Sequence, residues 1–214
     1  MRSMPPLDQA FSARVSETLG IVASTEALWL VAPPTSQVRR QLKVNQLEAL
    51  YESVYLRIFS AWEAFLEDAL VRLMAGYVTA SYRPIPAAGS HIERTVKGAR
   101  STLYGSQSYL LWHDPASVAR RAARYLVDSP VEQVVLSQNS RLKIFADIRH
   151  HIAHGSDDTH SKFLAASAVL ASNSFSGKAG RLLRGSDMSD PLNQPKWIRV
   201  ISFELIDIAS LILK

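Results

Sequence analysis

The longest apolar pattern in the chain runs over residues 37–78, where hydrophobic side chains recur at intervals of three and four. The recurring residues are Leu47, Leu50, Val54, Ile58, Ala61, Phe65 and Ala69. Since an α-helix has 3.6 residues per turn, this spacing places them on one helical face. A break near the middle of the segment is compatible with the pattern. A helix of this length needs other helices to cover its apolar face, which predicts an all-α bundle built around one long central helix.

Helical periodicity extends over most of the remaining sequence. Residues 7–30 carry an apolar stripe and are followed by Pro33 and Pro34, which cannot continue a helix. Further helices are predicted over residues 91–105, 114–127, 129–137, 140–154 and 157–172. We therefore expect helices to supply nearly all of the regular structure.

Local start and stop signals support these helices. Asp114 and Ser129 are good N-caps, and each is followed by a proline at the first helical position. Glu132 lies three residues after Ser129, as in a capping box. Gly155 is a natural C-terminal stop for the helix over 140–154. Ser36 and Ser156 are predicted to cap the helices that follow them.

Two segments are predicted to be loops, and the end of the chain is ambiguous. Residues 79–90 contain two prolines and a glycine, and residues 173–196 are rich in Gly, Ser, Asp and Pro. The alternation in "WIRVISF", residues 197–203, favours a short strand, whereas the residues after it are typical of a helix. The 214 residues predict one domain over 1–214, with a core over 36–172, a loop over 173–196 and a C-terminal element over 197–214.

Composition excludes several classes of site. Hydrophobic residues make up 47% and charged residues 20% of the chain, as in ordinary globular proteins. The chain has no cysteine, which excludes disulfides, thiolate metal sites and cysteine nucleophiles. No secretory signal or apolar stretch long enough to cross a membrane is visible, so we expect a cytoplasmic protein with no membrane partner. The formal net charge of +5 weakly favours a polyanionic partner.

Titratable side chains are concentrated in "FADIRHHIAHG", residues 145–155, which contains three of the six histidines. One interpretation is a metal site, because His150 and His154 are four residues apart and His151 and His154 are three apart. His160 and nearby aspartates can supply further ligands. The glutamate of the zincin motif is missing, however, so the metal signal is modest.

The second interpretation is metal-independent cleavage of RNA. A histidine near neutral pKa can move the proton of a 2′-hydroxyl or of the leaving 5′-oxygen, and an arginine can neutralise charge that develops on the phosphate. Arg149 and His154 supply one group of each kind. Five residues on an ideal helix turn by about 140° and rise by about 7.5 Å, so a second subunit can help to complete such a site. A third interpretation is an ordinary surface helix that ends at Gly155.

The segment resembles the R-x4–6-H signature of HEPN domains, in which a polar residue directly follows the arginine. Here the pattern is Arg149, His150 and His154, with an "IAHG" ending similar to that of the RiboL-PSP branch. "YLRIFSAWEAFLEDAL", residues 55–70, resembles the aromatic-Glu-aromatic stretch on the long helix of those proteins. Many active members have Asn or Asp where this chain has His150.

The resemblance implies a HEPN-type helical bundle that forms homodimers, with both R-x4–6-H helices facing one cleft. Active members are endoribonucleases that need no metal or other cofactor, and many are toxins or antiviral effectors with an antitoxin or regulatory partner. By this resemblance His154 is the catalytic acid or base and Arg149 stabilises the phosphate charge. His150 orients the pair or touches RNA, Glu63 orients Arg149, and His151 points away from the cleft.

The resemblance also leaves an alternative open, because inactive members bind nucleotides or act as adaptors. Outside the motif, Lys178, Arg181 and Arg184 lie in the long predicted loop, which can close over a substrate. Each of these cations taken alone is ordinary for a solvated surface.

Overall fold

The computed structural model describes residues 2–81, 84–89, 93–172, 175, 177–189 and 193–214. Within these ranges the chain is all-α, as predicted, with ten helices and one pair of two-residue strands. The helices are α1 (Leu7–Val31), α2 (Gln37–Gln41), α3 (Val44–Met74), α4 (Val96–Tyr104), α5 (Pro115–Tyr125), α6 (Pro130–Ser137), α7 (Asn139–His154), α8 (Asp157–Ala171), α9 (Ala179–Arg184) and α10 (Trp197–Leu213). The strands β1 (Arg2–Ser3) and β2 (Tyr77–Val78) pair in parallel, with Arg2 opposite Tyr77.

The chain divides into two compact units. The first comprises the residues up to Ser12, Ala61–Lys143 and Leu205–Lys214. In it, the ring of Phe11 packs against Trp62 and Phe65 at centroid distances of 5.9 and 5.7 Å. Helix α5 packs against α6, and their apolar side chains are buried. Aromatic and aliphatic burial thus builds the core of this unit.

The second unit comprises Ala13–Ser60 and Ile144–Glu204. Its most buried large side chains include Tyr55, Ile58, Phe145, Ile148 and Phe163. The Tyr55 hydroxyl donates a 2.8 Å hydrogen bond to the backbone carbonyl of Phe145, which ties α3 to α7. This bond satisfies a phenol that would otherwise be costly to bury.

The four predicted N-caps are confirmed. The side chain of Asp114 accepts a 3.0 Å hydrogen bond from the backbone N–H of Ser117 at the start of α5. Ser36, Ser129 and Ser156 accept the equivalent bonds at the starts of α2, α6 and α8. These local signals place the helix starts correctly because each uses only residues within one turn.

The long predicted helix is interrupted at residues 42–43, close to its start, and ends at Met74 instead of residue 78. Leu42 has φ −102° and ψ 87°, which is not helical. The side chain of Gln46 accepts a 2.8 Å hydrogen bond from the backbone N–H of Lys43 and so defines a new helix start. Gly76, with φ +80°, follows the end of α3, and Tyr77 then joins the short strand pair.

Two further predictions are wrong in detail. Residues 197–203 form the start of helix α10 and not a strand. Buried side chains recur along α10 at helical spacing, and a seven-residue apolar alternation is too short to exclude this period. The predicted loop over 173–196 contains the short helix α9, although residues 173, 174, 176 and 190–192 of that loop lie outside the described residues.

The predicted helix over 91–105 begins only at Val96, and its residues 91 and 92 are not among the described ones. The single-domain interpretation of residues 1–214 stays a prediction. In the described part of the chain, no helix combines the length and apolar character that a membrane span requires.

Candidate functional site

Helix α7 presents the residues of the R-x4-H motif. Three of the four residues in its predicted apolar stripe are buried, since Leu142 is 3% exposed and both Phe145 and Ile148 are fully buried. The fourth, Ile152, is half-buried. Because this stripe holds one face of the helix against the core, the remaining faces carry the polar residues of the motif.

The C-terminal end of α7 leaves His154 accessible. Gly155 adopts φ +60° and donates a 3.0 Å hydrogen bond to the carbonyl of His151, which ends the helix. Ser156 then caps α8. His154 is therefore the last residue of α7, and its side chain is exposed to solvent.

His150 lies next to His154 on this helix end. The two ring centroids are 5.4 Å apart and the ring planes are inclined at 65°. Burial lowers the pKa of His150 below its ordinary value of 6.5, and the positive charge of Arg149 and the proximity of His154 lower it further. Asp147 acts in the opposite direction and is outweighed. The His150 imidazole is consequently neutral at neutral pH.

Arg149 is half-buried and precedes His150 on the last two turns of α7. Its positive charge is, after burial, one of the causes that lower the pKa of His150. The structure thus brings Arg149, His150 and His154 together on one helix end. A guanidinium, a neutral imidazole and an accessible imidazole are a set that can bind a phosphate group and move protons around it.

His151 packs against α8. Its ring stacks on Phe163 at a centroid distance of 4.6 Å with an interplanar angle of 16°, and it lies 5.1 Å from the ring of His160. Burial and the neighbouring His160 lower the pKa of His151, while the charge of Glu52 opposes them. Its Nδ1 atom is buried and has no hydrogen-bond partner among the described atoms. These contacts engage His151 in helix packing.

The histidines of this region form two pairs, His150 with His154 and His151 with His160. Among the residues that the structure describes, no group of three or more His, Cys, Asp or Glu side chains is arranged to hold a metal ion. The geometry therefore offers the metal-binding interpretation no ligand set.

Glu63 lies in the first unit, within α3, and its side chain is 15% exposed. Its Oε1 atom is 3.7 Å from Nδ1 of His113, whose side chain is 10% exposed. The predicted role of Glu63 in orienting Arg149 stays a prediction. Sequence reasoning missed His113, since no local pattern connects two positions fifty residues apart.

Sequence reasoning also missed a buried carboxylate in the second unit. The Glu26 side chain is 6% exposed and accepts hydrogen bonds from the Tyr51 hydroxyl at 2.7 Å, from Arg184 Nε at 2.8 Å and from Lys196 Nζ. Burial acts to raise the pKa of Glu26, but these hydrogen bonds outweigh it and leave the pKa below its ordinary value. Burial and Glu26 together raise the pKa of Tyr51. The cluster ties α1 to α3, α9 and the start of α10.

Comparison with known proteins finds no matching family model, no matching curated protein and no matching solved structure. The residues of α7 and the motif that they form are therefore the basis on which a function is inferred.

Proposed function

We propose that this protein is a HEPN-type endoribonuclease that cleaves RNA without a metal ion. The observation that carries the proposal is the end of α7, where the exposed His154 lies beside the neutral His150 and closely follows Arg149. The R-x4-H spacing and the Trp62-Glu63-Ala64-Phe65 stretch support the same assignment through the resemblance described above.

In the proposed reaction the RNA supplies its own nucleophile. The 2′-hydroxyl oxygen bonds to the adjacent phosphorus as its proton passes to an imidazole, and the bond from phosphorus to the 5′-oxygen breaks. A protonated imidazole gives its proton to that departing oxygen. The products are a 2′,3′-cyclic phosphate and a 5′-hydroxyl, and no water or oxidant is consumed.

The two neighbouring imidazoles fit these proton transfers. His154 is the accessible acid or base, while neutral His150 can accept a hydrogen bond from the 2′-hydroxyl and orient it. Arg149 donates to the non-bridging phosphate oxygens as their charge grows. General acid–base catalysis by a positioned side chain contributes about 10²–10⁴-fold in rate, so His154 is expected to dominate the activity.

The proposal includes a homodimer in which the α7 helices of two copies face one cleft. Two copies would supply Arg149 and His154 from both sides of a bound strand. A cytoplasmic location, a role as toxin or defence effector and an antitoxin or regulatory partner belong to the same proposal.

The test is cleavage of labelled tRNA or total RNA in excess EDTA by the parent protein, His154→Ala and the control His160→Ala. We expect the parent and the control to cleave, and His154→Ala to lose about 10²–10⁴-fold in rate. Circular dichroism and sedimentation should show that all three share one fold and one oligomeric state.

Two outcomes would count against the proposal. If His154→Ala cleaves as fast as the parent, the assignment of this residue is wrong. If the parent forms a dimer but cleaves no RNA, the non-catalytic alternative, a nucleotide-binding or adaptor module, is the better description.

A further inference from the structure

Three cations of the long predicted loop line one hollow in the second unit. Lys178, Arg181 and Arg184 lie along α9 and its N-cap, and together with Val44, Glu48 and Gly177 they surround a cavity of about 600 Å³. Lys178 and Arg181 are exposed, and neither forms an ion pair within the described part of the chain. Glu48 is acidic, but the cations lining the hollow outnumber it three to one.

The backbone that presents these cations is held firmly against α3. Gly180 is buried, and a Cβ atom at this position would overlap the backbone carbonyl of Glu48. The backbone N–H of Gly180 donates a 2.8 Å hydrogen bond to Oε1 of Glu52. Leu182 and Leu183 are also buried. A close glycine contact, a hydrogen bond and two buried leucines fix α9 in place.

Arg184 is fixed further by its side chain. Its Nε atom lies 2.8 Å from the Glu26 carboxylate, and its guanidinium lies 5.2 Å from the centroid of the Trp29 ring. Arg39 stacks on the same indole at 3.6 Å. Because Arg184 is already ordered, an anion that binds beside it loses less conformational entropy on its account.

The hollow and the proposed catalytic helix approach the same part of α3. Glu52 accepts the hydrogen bond from Gly180 of α9, and its charge also acts on His151 of α7. A polyanionic chain bound along α9 would therefore lie on the same unit as Arg149 and His154.

We infer that this hollow binds the phosphodiester backbone of single-stranded RNA, with Lys178 and Arg181 contacting successive phosphates. The identity of the polyanion rests on the proposed function, whereas its charge follows from the lining residues. Contacts from ammonium and guanidinium groups to phosphates carry no base information, so binding here is independent of sequence.

The test measures binding without cleavage, using the full-length chain with His154→Ala. A fluorescein-labelled single-stranded RNA of twelve nucleotides is titrated by anisotropy at several NaCl concentrations. In this background, Lys178→Gln with Arg181→Gln removes two exposed cations. The matched control, Lys97→Gln with Arg120→Gln, removes two exposed cations from the other unit.

We expect the Lys178/Arg181 variant to bind RNA at least about tenfold more weakly at low salt. The negative slope of log K against log salt should become shallower by about 1.4, since each phosphate contact on a single strand contributes about −0.7 to it. The control should keep the parental affinity and slope. Equal affinities and slopes for the two double variants would overturn the inference, provided that both melt at the parental temperature.

This result is separable from the outcome of the cleavage test. If the parent cleaves RNA and the Lys178/Arg181 variant binds like the control, this inference fails and the nuclease proposal stands. If the parent cleaves nothing but the variant loses RNA affinity and salt dependence, the hollow is an RNA site and the nuclease proposal fails. In an active background the same two substitutions should raise KM and leave kcat unchanged.

Discussion

The imidazole rings of His150 and His154 lie one helical turn apart on α7, with centroids separated by 5.4 Å. Burial and the charge of Arg149 keep the first ring neutral, while the second is exposed at the helix end. In the proposed cleavage by a 2′-hydroxyl, two imidazoles would move the protons and a guanidinium would stabilise the phosphate charge. Substitution of His150 tests what this neutral ring contributes to the proposed RNA cleavage.

His150→Ala should slow RNA cleavage about fivefold or more, because a lost orienting hydrogen bond is worth about 1 kcal/mol in the transition state. His150→Asn should retain most of the activity, since an amide keeps a hydrogen-bonding group at this position. Initial rates on one labelled RNA at pH 7.5 compare the two variants. Parental rates for His150→Ala would show that the ring is dispensable.

The stability of the folded protein should fall as the pH falls below about 6.5. The folded-state pKa values of His150 and His151 lie below their ordinary value of 6.5. As pH falls through 6.5 the unfolded chain therefore binds protons that the folded chain does not, and the free energy of unfolding decreases. Glu26 and Asp114, whose pKa values are lowered from 4.5 and 3.8, add to the loss only at more acidic pH.

Urea denaturation at pH 7.5 and 5.0 measures this effect. His151→Phe should reduce the difference between the two pH values, because phenylalanine can stack on Phe163 without titrating. It also removes the buried Nδ1 atom that has no hydrogen-bond partner among the described atoms. If the pH dependence of the free energy of unfolding is unchanged in His151→Phe, then His151 does not contribute to it.

Glu26→Ala should destabilise the fold by about 3 kcal/mol, the lower end of the range for breaking a buried ion pair. It leaves Arg184, Lys196 and the Tyr51 hydroxyl without their common acceptor. The lower end applies because Arg184 and Lys196 are 25% and 33% exposed and can recover some water.

Asp158→Asn is the matched control, since it breaks an exposed ion pair with Lys162. It should change the free energy of unfolding little. Chemical denaturation at pH 7.5 compares the two variants with the parent. If both variants lose a similar amount of free energy of unfolding, then burial does not strengthen the ion pairs of Glu26.

Gly180→Ala and Gly20→Ala should have opposite effects. An added Cβ at Gly180 would overlap the carbonyl of Glu48, and such overpacking costs about 1–3 kcal/mol. At Gly20, in the middle of α1, an added Cβ meets nothing within 4 Å. Alanine there should stabilise the helix by up to about 1 kcal/mol. Thermal melts measure whether each substitution raises or lowers the stability of the fold. If Gly180→Ala is as stable as the parent, α9 is not tightly docked on α3.

The sequence predicted those parts of the fold and site that local chemistry controls. Asp114, Ser129 and Ser156 cap their helices where expected, and Gly155 ends α7, because each signal acts within one helical turn. The apolar stripe of α7 can be predicted from the sequence because its residues recur at helical spacing. The relation of His150 to His154 also follows from helical spacing alone.

Tertiary structure decided what depends on distant partners. Residues 197–203 are helical because burial along all of α10 follows the helical period, whereas the short alternation fits either structure. Glu26 meets Arg184 and Lys196, which are 158 and 170 residues away, and no local pattern could indicate this. Helix α9 likewise depends on its docking against α3 through Gly180. Sequence alone thus determined most of the helices, their N-caps and which groups share a turn. The fold determined which side chains are buried together, because burial and charge pairing act between residues that are distant along the chain.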